Sequence, residues 1–283
     1  MLSKAYVEIG NRCNLSCAFC PKTRRAPGQM TAEQFSMVAR RLRGRVRYLY
    51  LHLMGEPLLH PELDAILAEA EKQGFRVCIT TNGTLLRPRG GVLLEHSAVV
   101  HKVSVSLHAL EGSGCGMDME EYLSGVWDFC ARAQQRGIYC ALRLWNEGGA
   151  EARNGEILAF LQRKTGTDPM ALPCNRSRSR VLGERLFLER EEMFAWPDLG
   201  RAETGTQFCF GLRDQIGVLC DGTVVPCCLD HEGDIPLGNL FEQELDEILQ
   251  SPRARAIYDG FSNRAPHEDL CRRCGFATRF NKG

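Results

Sequence analysis

The chain lacks long hydrophobic runs, and it has no excess of charge of one sign. No apolar stretch approaches the ~20 residues that a membrane helix needs, and the first residues lack the apolar segment of a secretion signal. Its 35 basic residues balance its 35 acidic ones, so no overall field attracts nucleic acid, anionic lipid or an acidic substrate. Internal repeats and low-complexity tracts are also missing. We therefore expect a globular protein of the cytoplasm that binds neither membrane nor nucleic acid.

Cysteine, in contrast, is abundant, with 14 residues in a chain of 283. In a reducing cytosol, cysteines that are grouped along the sequence indicate metal thiolates sooner than a disulfide framework. Nine of them fall in two groups, and the other five lie scattered between the groups. The first group is Cys13, Cys17 and Cys20, and the second is Cys209, Cys220, Cys227, Cys228, Cys271 and Cys274. Each group predicts a metal site.

Short apolar runs alternate with longer amphipathic stretches from residue 4 to about 145, which is typical of βαβ units in a parallel sheet. The spacing of Thr31 and Gln34 predicts a capping box, and apolar residues at helical spacing around Cys130 predict a helix that Gly137 ends. Such units coil into a right-handed parallel array with functional loops at the carboxyl ends of the strands. The predicted strands are Ala5–Ile9, Tyr48–Leu53, Val77–Thr80, Val103–Leu107 and Tyr139–Leu144.

After residue 145 the periodic signal weakens. Residues 156–161 indicate a helix, and the Arg-rich segment 175–192 is interpreted as a last strand with a connection. Residues 217–225 predict a hairpin that turns at Asp221-Gly222. Two helices are expected after it, around residues 241–249 and 252–258.

The first cysteine group, Cys13-Asn-Leu-Ser-Cys17-Ala-Phe-Cys20, directly follows the first predicted strand. Three thiolates can bind three irons of a cubane cluster and leave the fourth iron without a protein ligand, which makes that iron reactive. A structural zinc site needs four closed ligands, and no nearby histidine or cysteine supplies the fourth. The group therefore predicts an open [4Fe–4S] cluster.

This CxxxCxΦC arrangement, with Phe19 before the third cysteine, resembles the signature of the radical S-adenosylmethionine (SAM) superfamily. The resemblance implies an α/β fold, a partial (β/α)6 TIM-like barrel over residues 1–195. It implies that Cys13, Cys17 and Cys20 hold a catalytic cluster that cleaves bound SAM. A reduced flavodoxin or ferredoxin is the implied electron donor.

Several strand-end residues resemble the SAM-binding positions of this family. Gly55-Glu56-Pro57 resembles the motif that receives the methionine amino group, with Met54 in place of the motif's first glycine. Ser106 and Arg143 resemble positions that hold the ribose and the carboxylate, so the implied SAM-binding residues are Phe19, Gly55, Glu56, Pro57, Thr80, Asn82, Ser106 and Arg143. An amino acid ligand does need one anion and one cation, which Glu56 and Arg143 supply. Alternatively, Glu56 only turns the chain and Arg143 pairs with a structural carboxylate.

The second cysteine group offers four thiolates, two at the predicted hairpin and two in Cys271-Arg-Arg-Cys274, enough for one cluster or one zinc ion. Spacing alone does not choose between them. The stretch from Cys209 through Gly222 to Cys227 resembles the start of the SPASM pattern of radical SAM maturases. No cysteine follows Cys274, so we expect one auxiliary [4Fe–4S] cluster in a short, twitch-type domain over residues 196–283. The implied ligands are Cys209, Cys227, Cys271 and Cys274, with Cys220 and Cys228 spare.

The resemblance implies that a 5′-deoxyadenosyl radical abstracts hydrogen from a small-molecule or peptide substrate, and the auxiliary cluster favours an oxidation. A redox-neutral epimerase or lyase and an electron-transfer protein without SAM chemistry are the alternatives. His108 follows the fourth strand, where it could touch a substrate. The thiol of Cys115 could donate a hydrogen atom to a substrate radical, although an inert loop cysteine is the simpler interpretation.

Overall fold

A computed structural model of the chain describes residues 2–111, 113–205 and 208–281. The strands are β1 (Lys4–Val7), β2 (Tyr48–Tyr50), β3 (Arg76–Thr81), β4 (Val100–Ser106), β5 (Tyr139–Glu147), β6 (Arg180–Gly183), β7 (Leu186–Glu192), β8 (Gln215–Val218), β9 (Thr223–Val225) and β10 (Gly238–Asn239). The helices are α1 (Ala32–Leu42), α2 (Leu63–Lys72), α3 (Leu86–Arg89), α4 (Gly91–Glu95), α5 (Met119–Gln135), α6 (Asn154–Thr165), α7 (Leu245–Gln250), α8 (Pro252–Ser262) and α9 (Asp269–Arg272).

These strands form one open sheet in the order β10-β9-β8-β1-β2-β3-β4-β5-β7-β6. The strands β1 to β5 and β7 run parallel to one another, which gives the six parallel strands of the predicted partial barrel. Helices follow most of these strands and cover the outer face of the sheet with apolar side chains. In the described ranges, no helix is long and apolar enough to cross a bilayer.

The local predictions for this half of the chain are confirmed. All five predicted strands occur, with ends that differ by a few residues. The Thr31 hydroxyl accepts a hydrogen bond from the Gln34 amide (3.1 Å), and the Gln34 side chain accepts one from the Thr31 amide (2.8 Å), so the capping box opens α1. Cys130 is fully buried in α5, as its helical spacing predicts.

The Arg-rich segment differs from its interpretation as a single last strand. It forms an antiparallel hairpin, in which β6 pairs with β7 and only β7 joins the parallel set beside β5. The later hairpin is as predicted, because β8 and β9 are antiparallel and Gly222 takes a φ of 85° at the turn. A Cβ at residue 222 would meet the Asn239 and Phe241 side chains, so only glycine fits there.

The pairing of β8 was not apparent from the sequence. Strand β8 lies beside β1 in parallel, with Lys4 opposite Gln215 and Val7 opposite Val218. An ion pair between Lys4 and Asp214 (3.3 Å) joins the two strands at their amino-terminal ends. The segment expected to form a second domain therefore continues the sheet of the barrel.

Replacing Thr31 by Ala should lower the free energy of unfolding by about 1 kcal/mol, because the first turn of α1 loses the acceptor for one of its amide groups. Thr167→Ala, at an exposed threonine outside any helix, is the matched control and should change stability by less than about 0.5 kcal/mol. Denaturant midpoints of the two variants test this, and equal midpoints would contradict the role of the cap.

Candidate active site

The first cysteine loop follows β1 at the carboxyl end of the barrel strands. The Cys13 and Cys20 sulfurs accept hydrogen bonds from the amides of Leu15 (3.5 Å) and Lys22 (3.4 Å), while the Cys17 sulfur lies 3.2 Å from the carbonyl oxygen of Ala109. Burial raises the pKa of Cys17 to about 11, and the neighbouring thiols of Cys13 and Cys20 contribute to that rise. The three thiols are thus close enough to interact. Iron binding as thiolates would release their protons.

The turn Gly55-Glu56-Pro57, which we call the SAM turn, lies tightly against this loop. Gly55 has a φ of 81°, and a Cβ there would collide with the carbonyl oxygens of Gly10 and Arg12. The Glu56 amide donates to the Arg12 carbonyl (2.8 Å), which fixes the turn next to Cys13. Only a glycine allows this close approach of the two backbones.

Glu56 itself is buried and hydrogen-bonded to the chain. Its carboxylate accepts from the amides of Leu58 (3.1 Å) and Asn82 (2.7 Å), and it caps a short 3₁₀ helix that begins at Pro57. Burial raises the pKa of this carboxyl, and the hydrogen bonds oppose that rise. The geometry matches the alternative in which Glu56 organises the chain, so its contact with a methionine amino group stays a prediction.

Asn82, predicted to bind SAM, connects β3 to the cysteine loop and is absent from the lining of the cavity described next. Its side-chain amide donates to the Asn14 side chain (2.9 Å) and lies 3.8 Å from the Cys13 sulfur. Its carbonyl oxygen accepts a hydrogen bond from the hydroxyl of Tyr122 in α5 (2.7 Å). The amide is therefore held in place beside the thiol.

A cavity of about 260 Å³ opens at the same end of the barrel, and we call it the barrel cavity. Four of the predicted SAM residues line it, namely Phe19, Thr80, Ser106 and Arg143. His108 also lines it, with its ring 4.6 Å from that of Phe19 and its Nδ1 atom 3.1 Å from the Arg143 carbonyl oxygen. Burial lowers the pKa of His108, so its ring is neutral at pH 7.

Arg143 is partly engaged with its own chain. Its Nε atom donates to Glu189 (3.0 Å), its Nη1 atom lies 3.4 Å from the Thr80 hydroxyl, and its guanidinium stacks on Trp145. Although burial opposes it, Arg143 and Lys102 hold the pKa of Glu189 below its usual range. No partner for Nη2 of Arg143 occurs among the described residues, so one amino group stays available for an anionic ligand.

Two ring nitrogens of the cavity lining are orphaned. His52 Nδ1 and Trp145 Nε1 are buried and have no hydrogen-bond partner within the described ranges. Burial, and then the charge of Arg143, lower the pKa of His52 to about 3, so its ring is neutral. Buried polar atoms without partners are costly, and these two add nothing to the binding of a ligand. The fit to SAM rests on Arg143 with the hydroxyls of Thr80 and Ser106, which line the cavity and suit a carboxylate and a ribose.

The second cysteine group surrounds a separate, smaller cavity of about 30 Å³, which we call the thiol cavity. All four predicted ligands, Cys209, Cys227, Cys271 and Cys274, line it, and the rest of its wall is mostly apolar. Burial raises the pKa of Cys209 to about 11 and raises that of the other three thiols. Four thiols around one small, mostly apolar cavity are a suitable donor set for a [4Fe–4S] cluster.

No three His, Cys, Asp or Glu side chains of the described residues are arranged to share one metal ion. A cubane cluster does not need such an arrangement, because each thiolate binds its own iron atom. Neither of the two spare cysteines lines the thiol cavity. Cys220 is buried beside Glu8, and Cys228 lines the barrel cavity, where it is hydrogen-bonded to Tyr6. Cys115 packs against the main hydrophobic core instead.

Sequence reasoning missed several residues of the barrel cavity, among them Tyr6, Tyr50, His52 and Trp145. A signal for them exists, because they alternate with apolar residues along β1, the end of β2 and β5. Side chains two apart share one face of a strand, so this alternation marks the face that looks into the barrel. The predicted SAM residues Thr80 and Arg143 stand on the same face.

Comparisons with known proteins match both halves of the chain. The family model described as the radical SAM superfamily matches residues 7–143, and the one described as SPASM, an iron-sulfur cluster-binding domain, matches residues 209–275. The chain is 31% identical to a "Probable GTP 3′,8-cyclase" of Pyrobaculum aerophilum over 48% of its length and 43% of that relative. It spans less than half of three of the curated relatives that it matches, covering 43%, 24% and 24% of them.

Other relatives extend over nearly the whole chain. An S-adenosyl-L-methionine-dependent 2-deoxy-scyllo-inosamine dehydrogenase of Niallia circulans is 23% identical over 97% of this chain and 93% of its own. The crystal structure of BtrN in complex with AdoMet and 2-DOIA superposes with a TM-score of 0.63 at 18% identity, covering 97% of this chain and 93% of that one. The crystal structure of Streptococcus suis SuiB bound to the precursor peptide SuiA gives a TM-score of 0.60 at 16% identity, over 100% and 73%.

At these identities the solved structures support the fold alone, whereas the two family models identify the cysteine-bearing segments themselves. The two models cover the CxxxCxΦC loop, the strands up to Arg143, and all four thiols of the thiol cavity. The chain therefore belongs to the radical SAM superfamily and carries a C-terminal SPASM iron–sulfur domain, which implies SAM and two [4Fe–4S] clusters as its cofactors.

Proposed function

We propose that this protein is a radical SAM oxidoreductase or maturase that abstracts hydrogen from a small-molecule or peptide substrate and oxidises it. One observation carries this proposal: Leu229 and Phe276 line both the barrel cavity and the thiol cavity, so the two cavities share a wall. When bound, SAM and the first cluster supply a 5′-deoxyadenosyl radical, and the second cluster supplies a one-electron acceptor. A substrate in the barrel cavity would lie between the two.

The residues take the following roles in this proposal. Cys13, Cys17 and Cys20 hold the first cluster, and the four thiols of the thiol cavity hold the second. Arg143 binds the carboxylate of SAM through its available Nη2 atom, and the SAM turn at Gly55 holds the methionine end beside Cys13. Phe19, Thr80 and Ser106 line the cavity around the rest of SAM. The SAM turn and the first cysteine loop are held in fixed relative positions by the hydrogen bonds and packing of Glu56, Pro57 and Asn82.

Residues 1–195 form the SAM-binding part, and residues 196–283 form the auxiliary part. Strand β8 of the auxiliary part pairs with β1 of the SAM-binding part. The substrate class includes both small molecules and peptides, because one full-length relative is named for 2-deoxy-scyllo-inosamine and one structural neighbour was solved with a precursor peptide. A reduced flavodoxin or ferredoxin supplies electrons in the cytoplasm. These assignments rest on the family and on the two cavities.

Anaerobically reconstituted protein should contain about eight irons per chain, as two sets of thiols imply. Replacing Cys13, Cys17 and Cys20 together by Ala should leave about four irons and abolish the formation of 5′-deoxyadenosine. Iron and zinc analysis, together with chromatography of the reaction products, tests this. About four irons with one zinc would instead assign the thiol cavity to a structural zinc, and SAM cleavage by the triple variant would move the reactive cluster elsewhere.

Arg143→Ala should weaken SAM binding about tenfold to hundredfold with iron content unchanged, because it removes a charge-assisted hydrogen bond worth ~1.5–3 kcal/mol. Lys102→Gln is the matched control, since Lys102 shares the Glu189 carboxylate (2.7 Å) and is absent from the lining of the barrel cavity. Equilibrium binding of SAM measures both. Equal affinity of the Arg143 variant and the wild type would leave Arg143 as a structural partner of Glu189.

A redox-neutral reaction is the second candidate, and the Cys228 thiol favours it. This thiol lines the barrel cavity, and burial raises its pKa to about 12, so it keeps its hydrogen at neutral pH. Its S–H bond would break as a C–H bond forms on the substrate radical. One electron from the flavodoxin or ferredoxin, with a proton from water, would then restore the thiol.

The mass of the product separates the two candidates. Oxidation should give a product about two mass units lighter than the substrate, whereas hydrogen return from Cys228 should give, in D₂O, a product that carries one deuterium on carbon. In the second case, Cys228→Ala should remove that deuterium, while the control Cys115→Ala should retain it. Protein that forms no 5′-deoxyadenosine with any reductant would support the electron-transfer alternative instead.

A further inference from the structure

The carboxylate of Glu8 holds three separate segments together at the carboxyl end of β1. It is fully buried. Its Oε2 atom accepts from Nη2 of Arg25 (2.7 Å) and from the amide of Met54 (3.2 Å), and its Oε1 atom accepts from the amide of Cys220 (3.3 Å). We infer that Glu8 is a positioning residue, which fixes the SAM turn relative to both cysteine-bearing segments. This inference rests on the proposed function.

Each of the three partners belongs to a different part of the candidate site. Arg25 follows the first cysteine loop, and its Nε atom donates to the carbonyl oxygen of His231 (2.8 Å), just beyond Cys228. Met54 directly precedes Gly55 of the SAM turn. Cys220 follows β8 and begins the hairpin turn that leads to Cys227. A single carboxylate therefore sets the relative positions of the first loop, the SAM turn and the hairpin.

The energetics argue for more than a strand connection. A fully buried carboxylate is expensive to desolvate, and apolar side chains of similar volume usually stabilise a fold as well or better. Three donors, one of them charged, offset the cost here, and they fix directions that apolar contacts would leave free. What Glu8 contributes is therefore the orientation of its partners.

The effect on SAM passes through the backbone of the turn. Met54 is hydrogen-bonded to Glu8, and the next residue, Gly55, lies close against the carbonyl oxygens of Gly10 and Arg12. If the Met54 amide loses its acceptor, the turn can move away from Cys13 without breaking any ligand of the proposed clusters. The methionine end of SAM would then bind less tightly.

A second interaction joins β1 to β8, and its removal is a control for the effect of weaker strand pairing alone. Lys4 and Asp214 join the same two strands at their other ends, with side chains that are 27% and 34% exposed. Neither residue lines the barrel cavity or the thiol cavity. Loss of this pair should weaken strand pairing and leave the SAM turn in place.

The experiment compares Glu8→Gln with Asp214→Asn in reconstituted full-length protein. Glutamine keeps the shape but offers one oxygen in place of two, so it cannot satisfy all three donors. For Glu8→Gln we expect unchanged iron content, SAM affinity lower by about tenfold or more, and a smaller SAM-induced change in the electron paramagnetic resonance spectrum of the first cluster. Hydrogen exchange at the Met54 amide should quicken even without SAM. Asp214→Asn should match the wild type in all four.

If Glu8→Gln retains little iron, the double variant Glu8→Gln/Arg25→Gln removes the unpaired buried charge and should show the same loss of SAM affinity with iron retained. Wild-type affinity in the single or the double variant, provided that it holds its iron, would overturn the inference. So would an equal loss in Asp214→Asn, or a double variant that holds no iron, because Glu8 would then serve only to hold the fold. Wild-type protein that binds no SAM would overturn the proposed function itself.

Discussion

The parallel pairing of β8 with β1 is the constraint on which the rest of the molecule depends. It adds the second cysteine-bearing segment to the edge of the sheet whose first strand leads into the first cysteine loop. Because the carboxyl ends of parallel strands meet at one edge, Cys13 and Cys220 both follow strands that end on the same side. The shared wall of the two cavities, at Leu229 and Phe276, is a consequence of this pairing.

The parts of the fold that sequence predicts are those with a local cause. The capping box at Thr31 and the turn at Gly222 occur as predicted, because each needs only residues within a few positions of one another. Parallel strands were recognisable because each one is a short apolar run, followed by a stretch in which apolar residues recur at helical spacing. The β6–β7 hairpin was missed since its short strands carry charged residues, which obscure the alternation. The β1–β8 pairing leaves no local trace at all.

In the candidate site, too, residues with a local sequence signal were predicted, and residues brought together only by tertiary structure were missed. The spacing of the second cysteine group and the strand-end positions of Arg143 and Ser106 led to residues that line the two cavities. Glu8 was missed, although a glutamate within the predicted apolar strand Ala5–Ile9 is itself a signal that a buried charge has partners. Its partners Arg25, Met54 and Cys220 are brought to it only by tertiary structure. The spare cysteine Cys228, assigned no role from spacing, proves to face the barrel cavity.

The order in which the chain leaves the ribosome gives the β1–β8 pairing a further consequence. Ser3 and Asp214, which are hydrogen-bonded at the start of this pairing, lie 211 residues apart in the chain. Strand β1 therefore keeps one open edge until most of the chain has been synthesised, and contacts of such separation form late in folding. The hairpin therefore closes beside the first cysteine loop only after residues 215–225 have been made.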